Sequence, residues 1–568
     1  MIRKHRRFAA LMAAVLLAAL GLTIAAASPT FLDVQANNPQ VAGDAGSNAT
    51  AVFPTNKQNE PTIAVNPTNP LLLIAGSNDE QRQPPCGPGP VRGTTAAANN
   101  CSFFPNVGTS GIYTSSDGGA TWLNRGLLDD QASWSTLPIG KRLVSDGDPV
   151  IVYGPKPDSQ GRFDYGNGVR AYYATLASYF DNAGSYPANK APEYLAVSYS
   201  DDNGITWSPP VLATTKDNPN DFNDKESIWV DNLVSSPYFG RVYVSWTEFR
   251  SASSGSEPIM VAVSTNGGAS FGAPKQLSPA GNNGTGNGRQ GSALRSGPDG
   301  TVYVVWEQGF NQVVAVSRNG GGSWSRPAIV GPVKDIADPI PGANFRTDSF
   351  PSVAVSRIDG TVWVAWANRE TAGGRMVVSS STNKGNTWSA PAVVSGSEGY
   401  AFFQGLDVAP NGRVDLAYQV LNATNSASYG TGNARIDTWY VSKPVAGAWT
   451  SPAKVNSVTS DPAASAQNNL QRQFWGDYST LVSTNAKAFF IGTDSRDGVG
   501  CPAVDAYQRF LDGTPALRRG DMADRIAARL GQDPAVEPGA KPAPPADCPP
   551  SGTKRFGNTD VWVSVITP

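Results

Sequence analysis

The chain predicts an all-β fold, a β-propeller of four-stranded blades, and three observations carry that prediction. One short pattern, S-x-[DN]-x-G-x-[ST]-[WF], occurs five times, roughly 50 to 85 residues apart. Repeats at this spacing belong to architectures in which one unit cannot bury its own apolar face. Between the repeats, short Val/Ile/Trp/Tyr-rich runs alternate with Gly, Pro, Asn and Asp turns, and no long helical periodicity occurs before residue 500. Seven opening strands align in one register, at Glu60, Asp148, Glu226, Gln290, Phe350, Gln404 and Asp477, and predict seven blades.

Residues 1–27 read as a secretory signal: Arg3, Lys4, Arg6 and Arg7, an apolar run from Phe8, and Ala25-Ala26-Ala27 before Ser28. The rival reading is a retained membrane anchor, because the apolar stretch is nearly long enough to span. Cleavage removes four basic residues and no acidic one, leaving 40 Lys+Arg against 46 Asp+Glu, a net charge of −6. That balance argues against a nucleic-acid partner. The expected product is a secreted monomer with no membrane contact. Its single histidine, His5, lies inside the signal, so the mature chain has none. Ser-His-Asp and Cys-His catalysis and His-ligated zinc are thereby excluded, leaving carboxylates, Tyr, Lys and Arg to carry any chemistry.

Residues 28–58 are expected to supply the closing strand, from Phe31–Gln35 or Thr50–Phe53, since the last blade runs out of chain at its third strand, 560–566. An unpaired outer edge there would be an aggregation liability. The propeller itself spans 59–568. Two insertions, 80–108 and 498–556, each follow a second strand, so both should rim one face. The first holds Cys86 and Cys101; the second holds Cys501 and Cys548, with a helical stretch near Asp521–Leu530 and a Pro-rich tail. Proximity and export predict the disulfides Cys86–Cys101 and Cys501–Cys548, although four cysteines allow three pairings.

The five repeats centre on Asp117, Asp202, Asn266, Asn319 and Asn383, each two residues after a Ser and two before a Gly. The side-chain oxygen bonds nearby backbone, the Gly supplies a left-handed turn, and the closing aromatic pins the turn to its own blade. These residues are consumed by the turn and are structural. The pattern resembles the Asp-box of sialidase-type β-propellers over roughly residues 59–566. That family has six blades, so six is the alternative to seven. Tyr478-Ser479-Thr480-Leu481 resembles its Tyr-Ser-x-Leu segment, whose tyrosine serves as nucleophile. The resemblance implies Tyr478 as nucleophile, Asp477 or Glu226 as acceptor of its proton, and Asp79, by a loose match, as general acid. Where the family opens with Arg-Ile-Pro, this chain has Asn59-Glu60-Pro61 and lacks one arginine of the triad that clamps a substrate carboxylate.

The register places Glu60, Asp148, Glu226 and Asp477 at the central mouth, with Lys225, Arg289, Arg346 and Arg472 just before inner strands, and Arg250 and Trp475 nearby. Converging carboxylates and guanidinium groups in a concave mouth mark a polar-ligand site. The bland alternative is that they bond to the next blade or line a wet channel. No cofactor or metal is expected; Asp494-Ser495-Arg496-Asp497-Gly498 has few oxygens and a close arginine, so it reads as a solvated loop. The leading expectation is a secreted sialidase-like glycoside hydrolase on a glycan partner, with an acidic sugar as one option. A non-catalytic carbohydrate- or protein-binding propeller and a polysaccharide lyase are the alternatives, because fold alone cannot choose among them.

Overall fold

The second strand of each unit is a run of β-branched and aromatic residues buried on both faces, as in Val242–Arg250, Val302–Gln308 and Val362–Glu370. Trp246, Trp306 and Trp366 recur on these three strands and are fully buried. Each contributes about 2–3 kcal/mol of burial. The computed structural model of the chain describes residues 28–39, 57–81, 88–90, 97–99, 108–137, 142–179, 193–214, 221–250, 256–280, 288–337, 340, 343, 345–370, 373–396, 399–423, 434–465, 474–501 and 554–568. The expected signal, the helical stretch at 521–530, Arg472, Thr50–Phe53, Cys86, Cys101 and Cys548 lie outside them. Cys501 is buried and is not a free thiol. Among the described residues no helix is long and apolar enough to cross a membrane.

The fold is an all-β propeller of four-stranded antiparallel blades. The first blade is Gln58–Val65, Leu73–Asp79, Ser110–Ser115 and Leu123–Leu127. The second runs from Leu143–Pro157 to Val211–Leu212, the third from Asp221–Val230 to Lys275–Gln276, and the fourth from Arg289–Ser296 to Ala328–Pro332. Among the described residues these and a closing blade make five separate four-stranded sheets, not the seven or six expected. The units expected at Phe350 and Gln404 form one eight-stranded sheet, joined where Gly374 pairs in parallel with Tyr400. Two adjacent glycines permit that join. A Cβ on Gly373 would meet the Gly399 carbonyl oxygen at 2.7 Å, and one on Gly374 would meet that of Ala401 at 3.0 Å. Arg375 Nη1 donates to the same Gly399 oxygen at 2.9 Å.

The closing blade takes strands from both ends of the chain: Thr480–Ser483, Ala488–Asp494 and Asp560–Thr567 from the C-terminal part, and Thr30–Gln35 as its outer strand. Thr30 faces Thr567 and Gln35 faces Trp562 in antiparallel register. Side chains reinforce the seam. Arg496 Nη1 reaches Asp33 Oδ2 at 2.7 Å and its Nη2 reaches Asp494 Oδ2 at 2.7 Å, while its guanidinium stacks on the Trp562 ring. Gln35 and Asn37 both donate to Asp560 Oδ1 at 2.8 Å. The Asp494–Gly498 loop is thus committed to holding the N-terminal strand rather than solvated.

The recurrent turns are built as their chemistry dictates. Ser115 Oγ donates to Asp117 Oδ1 at 2.8 Å and accepts the Gly119 N–H at 3.0 Å, while Asp117 also accepts the Thr121 N–H at 3.0 Å. The same three bonds recur around Asp202, Asn266 and Asn383. Gly119 has φ 84°, and a Cβ there would press on Val565 of the closing blade at 3.1 Å; one on Gly204 would press on Ile74 of the first blade at 3.0 Å. Each turn therefore seats on the preceding blade, and its aromatic packs in the seam: Trp207 meets Tyr173 edge-on inside a cluster that also holds Ile74 and Ile112. The expected pinning of each turn to its own blade is only half of the contact.

Deleting residues 28–39 should expose the edge of Asp560–Thr567 and strip Arg496 and Asp560 of partners. Differential scanning calorimetry is expected to show the melting midpoint falling by at least about 5 °C.

Candidate functional site

Five inner strands carry an irregularity near the mouth end. Pairing with the second strand shifts between Asn59 and Thr62, Gly147 and Val150, Asp224 and Ser227, Gln290 and Ala293, and Phe402 and Gly405. The first residue of each bulge is left-handed: Glu60 (φ 52°), Asp148 (53°), Lys225 (57°), Gly291 (68°) and Phe403 (46°). Gly476 (φ 92°) takes this place before the last inner strand. A left-handed residue with a Cβ costs roughly 1–2 kcal/mol, and such bulges re-aim side chains. The register read from sequence is right at Glu60 and Asp148. At Glu226 and Asp477, as at Gln290 and Gln404, it misses the left-handed position by one residue; the equivalents are Lys225, Gly476, Gly291 and Phe403. The signal was present: only glycine takes φ > 0 freely, and Gly291 and Gly476 mark the bulge.

Around this mouth the structure brings together Glu60, Asp148, Asp224, Lys225, Glu226, Arg346, Asp477 and Tyr478. Arg346 grips Asp477 with both prongs, Nε to Oδ1 at 2.7 Å and Nη2 to Oδ2 at 2.6 Å. Asn78 Nδ2 donates to Glu60 Oε2 at 2.6 Å, and Asn78 Oδ1 accepts the Asp148 N–H at 2.8 Å, tying the first blade to the second. Gly476 passes so close that a Cβ would meet Glu60 Cγ at 2.8 Å. Lys225 Nζ sits 3.0 Å from the centroid of the Tyr478 ring. A central cavity of about 130 Å³ opens here, lined by Lys225, Glu226, Asp348, Phe350, Asp477 and Tyr478 among others.

The carboxyls have opposite electrostatic surroundings. Burial, then Asp148 and Asp477, pushes Glu60 well above the usual carboxylate range. Burial, then Asp148, does the same to Glu226. Burial also works against ionised Asp477, but Arg346, then Lys225, hold its carboxyl below its ordinary value. Burial and Asp148 lift Asp224 to about 7. Burial, with Asp148, Glu60, Glu226 and Asp477 in turn, raises the Tyr478 phenol well above its ordinary value. Four polar groups here are buried with no hydrogen-bond partner in the protein: both oxygens of Glu226, Glu60 Oε1, Lys225 Nζ and Tyr478 Oη. Each such group costs about 1–3 kcal/mol.

Other expected site residues are placed differently. Asp79 is buried and accepts from Tyr113 Oη at 2.8 Å and Gln58 Nε2 at 3.0 Å, so it braces the first blade. Trp475 is fully buried, stacked on Phe345, with Nε1 donating to Gln419 Oε1 at 2.7 Å; it is core. Arg250 pairs with Glu248 at 2.6 Å. Arg289 is buried, its backbone N–H directed to Glu257 Oε2 at 3.4 Å. Asp224 joins the site without having been picked out from sequence, and the bulge between Asp224 and Ser227 is what turns it and Lys225 inward.

No protein-family model matches the chain, and no curated protein does. The chain is similar to solved sialidase propellers. These include a leech intramolecular trans-sialidase, 14% identical with a TM-score of 0.40 over 68% of this chain and 67% of that one. The intramolecular trans-sialidase from Ruminococcus gnavus is 15% identical, with a TM-score of 0.39 over 67% and 92%. A Penicillium chrysogenum α-L-arabinanase is also similar, 15% identical with a TM-score of 0.41 over 69% and 94%.

Two outcomes follow from the electrostatics. Replacing Arg346 by Ala leaves the buried carboxylate of Asp477 unpaired and should cost about 2–4 kcal/mol, read by urea denaturation. Asp224 is raised to about 7 in the folded chain against about 3.9 unfolded, so the folded state holds a proton that the unfolded state releases. Stability should fall as pH rises from about 4 to 7, and Asp224→Asn should flatten that slope in a series of melting curves.

Proposed function

We propose that the protein is a secreted glycoside hydrolase whose mouth works through a pair of carboxyl groups. The observation that carries this reading is the opposed pair: Asp477 held ionised by Arg346, and Glu226 held protonated, unpartnered and facing the same cavity. Two carboxyls whose surroundings drive their pKa values apart are what acid–base cleavage of a glycosidic bond requires. Glu226 would protonate the leaving oxygen. Asp477, oriented by Arg346, would act as base or nucleophile on the sugar. Lys225 lies over the Tyr478 ring face and keeps the mouth from becoming uniformly negative.

A tyrosine nucleophile has less support. Tyr478 Oη has no carboxylate bonded to it to take its proton, and its phenol is pushed up rather than down. The substrate class proposed is a neutral glycan. Arg346 is spent on Asp477 and Arg289 lies beside Glu257, so the described residues assemble no guanidinium clamp for a carboxylated sugar. We further propose that the two halves of the eight-stranded sheet, each four strands deep, serve as two units of a seven-unit ring.

The test is hydrolysis by residues 28–568 across neutral glycans, sialosides and uronic-acid polymers, following reducing ends and product unsaturation. Turnover of a neutral glycan is expected. Asp477→Asn and Glu226→Gln should each lower kcat by about 10²-fold or more, and Tyr478→Phe by less than about tenfold. Activity should fall at high pH as Glu226 loses its proton and at low pH as Asp477 gains one. A chain that turns over only sialosides, with Tyr478→Phe inactive, restores the tyrosine mechanism; a chain that binds glycans without cleaving them is a binding module.

A further inference from the structure

A second group of carboxyls lies where the fourth blade meets the eight-stranded sheet. Glu307 stands near the end of Val302–Gln308, and Asp335 and Asp348 lie near the two ends of the segment that follows the fourth blade, residues 333–349. A carboxyl oxygen from each falls within 4.8 Å of the others. Glu307 is 8% exposed, and its Oε2 and Asp335 Oδ1 are buried with no hydrogen-bond partner in the protein. Asp348 Oδ1 accepts the Ser349 N–H at 2.8 Å. The backbone around them is fixed: Lys334 N–H donates to Asn368 Oδ1 at 2.6 Å, and Gln312 Nε2 donates to the Ser349 carbonyl at 2.7 Å.

We propose that Glu307, Asp335 and Asp348 bind a divalent cation, calcium by the character of the donors. The three carboxyls converge with Arg369 acting on Asp335, and Glu307 Oε2 and Asp335 Oδ1 stay buried without a hydrogen-bond partner in the protein. All the donors are hard oxygens, which excludes a preference for zinc. Three converging carboxylates on separate segments suit the six to eight oxygens and adaptable geometry of calcium better than magnesium, which keeps most of its waters.

The site binds both ends of the segment that carries Arg346, two residues before Asp348. Calcium would therefore hold the arginine that grips Asp477, a consequence that rests on the catalytic reading above, whereas the binding does not. The test uses residues 28–568 stripped with EDTA, then dialysed against calcium chloride, with calcium bound and melting midpoint both measured. At a hundredfold excess over Kd the midpoint should rise by about 2 °C. Glu307→Gln, which keeps the volume, should lose one bound calcium and that rise while melting in EDTA no lower than the unmodified chain. Asp335→Asn, on the more exposed side, should weaken calcium at least tenfold. Calcium binding that is absent from the unmodified chain, or equal in it and in Asp335→Asn, overturns the proposal.

Discussion

Apolar packing between neighbouring blades is the interaction on which the molecule depends. Ile74 and Ile112 of the first blade share a cluster with Tyr173 and Trp207 of the second, and Tyr172 of the second shares one with Val244 and Trp246 of the third. The same sharing recurs around the ring, and the closing blade lends Phe489 and Val563 to the cluster that holds Ile63 and Tyr113. No blade owns its core, so stability belongs to the seams. The repeated turn is a device for those seams, since its glycine lies against the blade before it.

Closing the seams gathers the mouth ends of the inner strands into one small space and gives the mouth its chemistry. Bulges at that end turn Glu60, Asp148 and Lys225 inward against backbone preference. The ring can bear this strain, and the unpartnered groups of Glu226, Lys225 and Tyr478, because the cost is concentrated in one place and offset by burial elsewhere. The arrangement separates duties: Asp79 and Asp560, each bonded by several donors, hold strands together, whereas Glu60 and Glu226 keep oxygens unmet at the mouth.

What was legible in the sequence was what is local. Ser115, Asp117, Gly119 and Trp122 announce their turn because every partner lies within a few residues, and the alternation of Val, Ile, Trp and Tyr announces strands. Register was legible to within one residue. The bulges at 224–227 and 402–405 shift pairing without changing composition, so Glu226 and Gln404 were aligned with Glu60 one place out. Long-range pairing left no trace. Arg346 and Asp477 are 131 residues apart, and nothing beside either names the other. Trp475 looked like a site aromatic because of its neighbours, yet Phe345 and Gln419, both distant in sequence, hold it in the core. The fusion at Gly374 and Tyr400 is likewise a contact between backbones, which a pattern of side chains does not record.

The closing blade has a consequence for how such a chain comes into being. Thr30–Gln35 precedes every other strand of the ring in sequence and Asp560–Thr567 follows them, yet the two are hydrogen-bonded neighbours. During vectorial synthesis, the first strand to emerge has no partner until the last has followed. Every other blade can assemble in order of appearance; this one cannot. The ring thereby reports its own completeness, since a product cut short by even its final strand retains an open seam that proteases can recognise.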